Sequence, residues 1–134
     1  MIAIPQPPAA LIVDDEPDHA MIIERVLATL APTLDVRIVA LDDVERRLCE
    51  EAPVGALVLM DRMLGGREVY GTLHAVRERR DDLTIGLLSA SLSDLDRERA
   101  LQAGAHEAAE KPASLDGWRM LLGRMLAVAA SRAS

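Results

Sequence analysis

The sequence has almost no aromatic residues: one Trp, one Tyr and no Phe. A core built from it must be aliphatic, drawn from Ala, Leu, Val, Ile and Met. Cys49 is the single cysteine, so no internal disulfide is available and a reducing compartment, the cytoplasm, is expected. Positive charge is also scarce. Fifteen Lys and Arg face 22 Asp and Glu, for a net charge of −7. That balance argues against direct contact with nucleic acid or an anionic membrane, both of which reward clustered cations. No apolar run approaches the ~20 residues that a membrane span requires. The first residues lack the basic and apolar regions of a signal peptide. What remains is a length of 134 residues, half of them hydrophobic, which suits one domain burying roughly two thirds of its unfolded surface.

Apolar runs and helical periodicities alternate along the chain. Three prolines within residues 1–8 mark a flexible leader. Ala9 to Val13 reads as a strand that stops on Asp14-Asp15-Glu16. Pro17 suits the first turn of a helix carrying Met21, Ile22, Val26, Leu27 and Leu30 on one face, closed by Pro32. Asp35 to Leu41 is a second strand, and Asp42 is placed to cap a helix through Glu51. Ala56 to Met60 is apolar without alternation, as a strand buried on both faces requires. Arg62 to Gly66 reads as a flexible loop, followed by a helix from about Glu68 to Arg80. Thr84 to Leu88 is a strand, Asp94 to Ala103 a helix with Gly104 as C-cap, and His106 to Glu110 a fifth strand rich in Ala and Glu. Ser114 caps a last helix through Ala130, leaving 131–134 as a frayed tail. Alternating strands and helices imply βαβ units. The expected fold is a doubly wound five-stranded parallel sheet of order 2-1-3-4-5 with helices on both faces, flavodoxin-like, over residues 9–130.

In such a sheet the C-terminal strand ends share one edge, where ligands bind. The first strand brings Asp14, Asp15 and Glu16 there, the third Asp61, the fourth Ser89 and the fifth Lys111. Crowded carboxylates repel one another unless a cation joins them. Oxygen ligands alone suit a hard ion such as Mg²⁺, which takes a substrate phosphate as a further ligand. Lys111 adds a point charge, Ser89 a hydrogen-bond donor, and Asp61 a nucleophile able to form an acyl phosphate. Plainer readings exist: Asp61 as a turn residue, Asp14-Asp15-Glu16 as favourable charge at a helix N-terminus, Ser89 as a strand-end hydroxyl. The three histidines, His19, His74 and His106, lack ligand spacing and read as surface or helix residues. Cys49 reads as a small, partly buried helix residue.

Taken together, Asp14-Asp15, Asp61, Ser89 and Lys111-Pro112 resemble the motif set of the receiver domains of two-component response regulators, in order and spacing, from Leu11 to about Ala127. The resemblance implies phosphoryl transfer from a histidine kinase or phosphotransfer protein to Asp61. Mg²⁺ would be held by Asp15 and Asp61, by the Met63 carbonyl, and by Asp14 through water. Ser89 and Lys111 would stabilise the phosphoryl group, and Pro112 could follow a cis bond. It implies a signalling module rather than a turnover enzyme, with a downstream protein partner; the Leu, Met and Ala of the last helix point separately to weak self-association through that helix or the fourth.

The chain departs from that family's pattern in four respects. Gly65 stands where Pro is usual and Val69 where Gly is usual, so the loop after Asp61 must take another path, with Gly65 and Gly66 supplying freedom. Ala108 stands where an aromatic often couples the phosphoryl group to the output face. Glu107 and Glu110 stand in the fifth strand where apolar residues are common. These departures motivate an alternative, an adaptor that binds its partner independently of phosphorylation. A Mg²⁺-dependent phosphatase with an Asp nucleophile uses the same residue types, but usually with a second Asp two residues on, which Asp14-Asp15-Glu16-Pro17 lacks.

Overall fold

The computed structural model describes residues 6–133, so most of the expected leader and the last residue of the expected tail lie outside it. Its elements are β1 (Ala9–Val13), α1 (Pro17–Leu30), β2 (Asp35–Ile38), α2 (Val44–Glu51), β3 (Leu57–Asp61), β4 (Met63–Leu64), β5 (Arg67–Glu68), α3 (Tyr70–Arg79), β6 (Thr84–Ser89), α4 (Asp94–Ala103), β7 (Glu107–Glu110) and α5 (Leu115–Ala133). Five strands form a parallel sheet of order β2-β1-β3-β6-β7. With the β4–β5 hairpin set apart, this is the expected 2-1-3-4-5 flavodoxin-like topology.

β1, β3 and β6 are buried at every residue, as their unbroken apolar runs require. Two aliphatic clusters cover the sheet. Leu11, Val58, Met60, Ile85 and Leu87 face Leu48, Leu73, Val76 and Ala100 on one side. Ile12, Leu57, Leu59 and Leu88 face Ile23, Leu27, Trp118, Leu122 and Met125 on the other. Gly86 lies under Met125: a Cβ there would meet its sulfur at 2.7 Å, so the flexible end of Met125 would have to shift to admit a side chain in the middle of β6. Among the described residues no helix is long and apolar enough to cross a membrane.

The structure departs from the sequence expectations where a partner residue intervenes. β2 ends at Ile38, short of Leu41, because β1 turns away after Val13 and the last bond is Val39 N–H to Ile12 O at 2.9 Å. Asp42 does not cap α2. Its carboxylate takes Arg47 and that of Asp43 takes Arg46, which leaves Asp43 at the N-cap with φ 62° and no side-chain cap. The segment after Asp61 is not a loose loop but a two-residue hairpin. Gly65 and Gly66 adopt φ 58° and 78°, the left-handed pair that a tight hairpin turn demands. Val69 then needs no positive φ: it sits at −92° before α3, buried in the core. Residues 131–133 continue α5, held by Arg132, whose guanidinium donates to Thr84 Oγ1, Asp81 O and Leu83 O. Arg80 closes α2 by donating to the carbonyls of Leu48, Cys49, Ala52 and Pro53.

β7 is short and poor in strand formers, yet it pairs in register with β6. Its two glutamates have partners: Glu107 lies 2.8 Å from Arg124, and Glu110 accepts from Leu92 N–H at 3.0 Å. His106, expected at the surface, extends the ladder. Its N–H donates to Ile85 O at 2.8 Å, and its Nδ1 accepts from Ile85 N–H at 2.9 Å. That bond needs an unprotonated Nδ1. Burial, with Arg132 and Arg77 adding to it, lowers the imidazole to about 4. Unfolding returns it to about 6.5, so between the two values the unfolded chain binds the extra proton. His106 therefore contributes full stability above about pH 6.5 and loses it as pH falls toward 4, by roughly 1–3 kcal/mol. Denaturant unfolding of wild type and His106→Asn across this range should give curves that converge as pH falls.

Candidate functional site

The C-terminal strand ends meet as their order predicts. β1 ends one residue before Asp14, which is 8% exposed and whose Oδ1 accepts from Glu16 N–H at 2.9 Å, turning the chain into α1. β3 ends on Asp61, 6% exposed, with Oδ1 accepting from Met63 N–H at 3.1 Å. β6 ends on Ser89. Beyond β7, Lys111 is anchored through its own N–H to Ser89 O at 2.7 Å.

The Lys111 ammonium is buried between the first and third strand ends. It lies 2.9 Å from Asp14 Oδ2 and 2.9 Å from Asp61 Oδ2. Only the contact with Asp61 has the angles of a hydrogen bond, so Asp14 Oδ2 is a buried carboxylate oxygen without a donor. Burial pushes the Asp61 carboxyl above its ordinary value, against the Met63 N–H and Lys111; the Asp14 charge adds to the rise. Burial works against the Lys111 charge, but the two carboxylates outweigh it and hold the ammonium above its usual range.

Asp15 is exposed, and its Oδ2 accepts from Gly65 N–H at 3.0 Å, tying the hairpin turn to the first strand end. Asp14, Asp15 and Asp61 each present an oxygen within 4.8 Å of the others. These three carboxylates, one of them with a buried oxygen that accepts no hydrogen bond, could hold a hard divalent cation, which oxygen ligands suit. Met63 opens β4 and pairs with Glu68. The Lys111–Pro112 bond is trans: no described peptide is cis. Ser89 is 2% exposed. Its hydroxyl donates to Ser91 O at 2.6 Å and accepts from Arg62 Nε at 3.0 Å. Asp15, Asp61, Arg62, Met63, Ser89 and Lys111 line a cavity of about 190 Å³. Ala108 is buried, and its carbonyl accepts from Arg97 of α4.

Two neighbours of the cluster are not evident from strand ends. His19, one turn into α1, brings Nδ1 to 3.0 Å from the Lys111 ammonium and 2.8 Å from Glu16 Oε2. Its i,i+3 spacing from Glu16 was the available signal. Arg62, read from sequence as loop, turns its side chain into the cavity. The only hint was a guanidinium directly after the strand-end carboxylate.

Replacing Lys111 by Met should leave two buried carboxylates facing each other and cost about 3–5 kcal/mol at neutral pH, as for a broken buried ion pair. The loss should shrink as pH falls and Asp61 is protonated, and Asp61→Asn should offset much of it. Urea unfolding of the two single variants and the double variant measures that coupling.

The profile of the response regulator receiver domain matches residues 10–120. No curated protein matches the chain. The fold is similar to that of a response regulator from Thermotoga maritima, at 20% identity and TM-score 0.72, covering 90% of this chain and 98% of that one. It is similar to the signal receiver domain of a putative LuxO repressor protein from Vibrio parahaemolyticus, at 19% identity and TM-score 0.74, covering 92% of each chain. A putative response regulator from Chloroflexus aurantiacus is similar at 24% identity and TM-score 0.72, over 91% of this chain and 99% of that one.

Proposed function

The chain belongs to the response regulator receiver domain family, and from that premise we propose that Asp61 accepts a phosphoryl group and that the domain signals through altered binding to a protein partner. The observation that carries the reading is the buried Lys111 ammonium shared by Asp14 and Asp61, open to a cavity that also holds Ser89.

The donor is a phosphohistidine of a kinase or phosphotransfer protein. A carboxylate oxygen of Asp61 attacks phosphorus, the P–N bond breaks, and the imidazole leaves with the bonding electrons. Lys111 moves from the carboxylate to a phosphoryl oxygen and balances its charge. Ser89 releases Ser91 O and donates to another. Asp14, Asp15 and Asp61, with the Met63 carbonyl, would hold Mg²⁺, which when bound neutralises phosphoryl charge. The domain works in the cytoplasm and turns over no external substrate. Leu95 and Leu101 on α4 and Met120 on α5 are exposed and offer apolar contacts for a partner or a weak homodimer.

Ala108 favours a second reading, a phosphorylation-independent adaptor, because no ring stands there to couple the pocket to the output face. Intact mass after incubation with Mg²⁺ and acetyl phosphate tests the proposal. The expected result is a single phosphoryl addition that is absent in Asp61→Asn. An unmodified wild type that still binds Mg²⁺ would overturn it and favour the adaptor.

A further inference from the structure

Arg62 follows the proposed phosphoacceptor directly. Its backbone is fixed on both sides: its N–H donates to Leu88 O at 2.7 Å and its carbonyl accepts from Val69 N–H at 2.9 Å. The side chain is 17% exposed and lines the cavity that holds Asp61, Ser89 and Lys111. Nε donates to Ser89 Oγ at 3.0 Å, while Nη1 lies 3.3 Å from Glu68 of the hairpin and 3.8 Å from Asp96 of α4. One guanidinium therefore touches the pocket hydroxyl, the hairpin and the first turn of α4 together.

The two kinds of contact differ in strength. Glu68 is 46% and Asp96 23% exposed, and both pairs are longer than a good charge-assisted hydrogen bond. Pairs of this sort are weak. A phosphoryl group on Asp61 would add about two negative charges inside the cavity. A planar guanidinium matches phosphoryl oxygens, and such bonds are among the strongest that side chains make. Ser89 has a single proton, given at present to Ser91 O, and the Arg62 N–H on its oxygen polarises it toward any new acceptor.

The far end of the contact matters to α4. Asp96 belongs to the capping box of that helix: Ser93 Oγ accepts from Asp96 N–H, and Asp96 Oδ2 accepts from Ser93 N–H. The Tyr70 hydroxyl rests on the Asp96 carbonyl at 3.5 Å. On the opposite side Ala108 offers no ring, and its carbonyl is occupied by Arg97.

We propose that Arg62 is a second phosphoryl ligand that carries the state of Asp61 to α4: on phosphorylation its guanidinium leaves Glu68 and Asp96 for the phosphoryl oxygens. This rests on the reading of Asp61 as phosphoacceptor. Ser89 turns with it, and the first turn of α4 and the end of the hairpin lose their shared cation. The residue thus takes over the coupling that Ala108 cannot provide.

Hydrogen exchange followed by mass spectrometry, with and without acetyl phosphate and Mg²⁺, tests this on wild type, Arg62→Ala and Arg62→Lys, with intact mass reporting modification of Asp61 in each. Exchange at the amides of residues 94–97 should rise about two- to fivefold on phosphorylation of wild type, the scale of a partly exposed ion pair. In Arg62→Ala exchange should be raised already and should not respond to modification. Arg62→Lys, with one point charge, should retain part of the response and keeps the test open if the alanine variant is poorly folded. A phosphorylated Arg62→Ala protein with the full wild-type response overturns the proposal and leaves the phosphoacceptor reading intact. A wild type that takes no phosphoryl group overturns both.

Discussion

One ammonium holds the functional edge of this domain together. Asp14 and Asp61 end neighbouring strands, both are buried, and each faces the other's charge. Lys111 lies 2.9 Å from each. Without it the edge would bring two like charges into low dielectric, and either the carboxyls would take up protons or the strands would splay. The cation directly follows the strand least suited to position it, four residues of Ala and Glu. That strand is clamped at both ends. His106 bonds Ile85 through its backbone and its imidazole at one end, and Lys111 N–H bonds Ser89 O at the other. A neutral imidazole far from the cavity thus helps set the register on which the charge balance depends.

How much of this was legible in the sequence follows from how local each determinant is. Unbroken apolar runs and helical spacing are local, and they revealed the parallel sheet and the four strand ends with their side chains, while the strand order came with the resemblance to receiver domains. What escaped depends on partners distant in sequence or on competition between neighbours. Asp42 has the side chain of a cap, but Arg47 takes its carboxylate away from the helix end. Gly65 and Gly66 suggested freedom, and they use it to fix a tight turn whose N–H bonds Asp15, fifty residues earlier. His106 looked like a surface residue because its acceptor role requires Ile85 beside it.

The surroundings of Lys111 also hold one nitrogen with two candidate partners. His19 Nδ1 faces the Lys111 ammonium at 3.0 Å and Glu16 Oε2 at 2.8 Å. A neutral ring with a free lone pair on Nδ1 accepts from the ammonium. A ring protonated there donates to the carboxylate. One nitrogen cannot serve both partners in a single tautomer, so the contact with Glu16 and the contact with the buried lysine are not independent.

If Asp61 is phosphorylated as proposed, a receiver that lacks its usual ring still has to connect that buried event to an exposed helix. The requirement is physical: a group with its backbone held and its side chain free, bridging the pocket and the helix through contacts of unequal strength. A ring meets it by rotating between a buried and an exposed position. A guanidinium meets it by exchanging partners. Arg62 has the first property from Leu88 and Val69, and the second from two weak carboxylate contacts set against a cavity that would gain charge in the proposed phosphorylation of Asp61. The hairpin belongs to the same solution. With Val69 buried and the turn closed by two glycines, Glu68 is carried on a short hydrogen-bonded ladder facing Arg62. Removing the cation therefore leaves a change in the surface rather than a rearrangement that hides it.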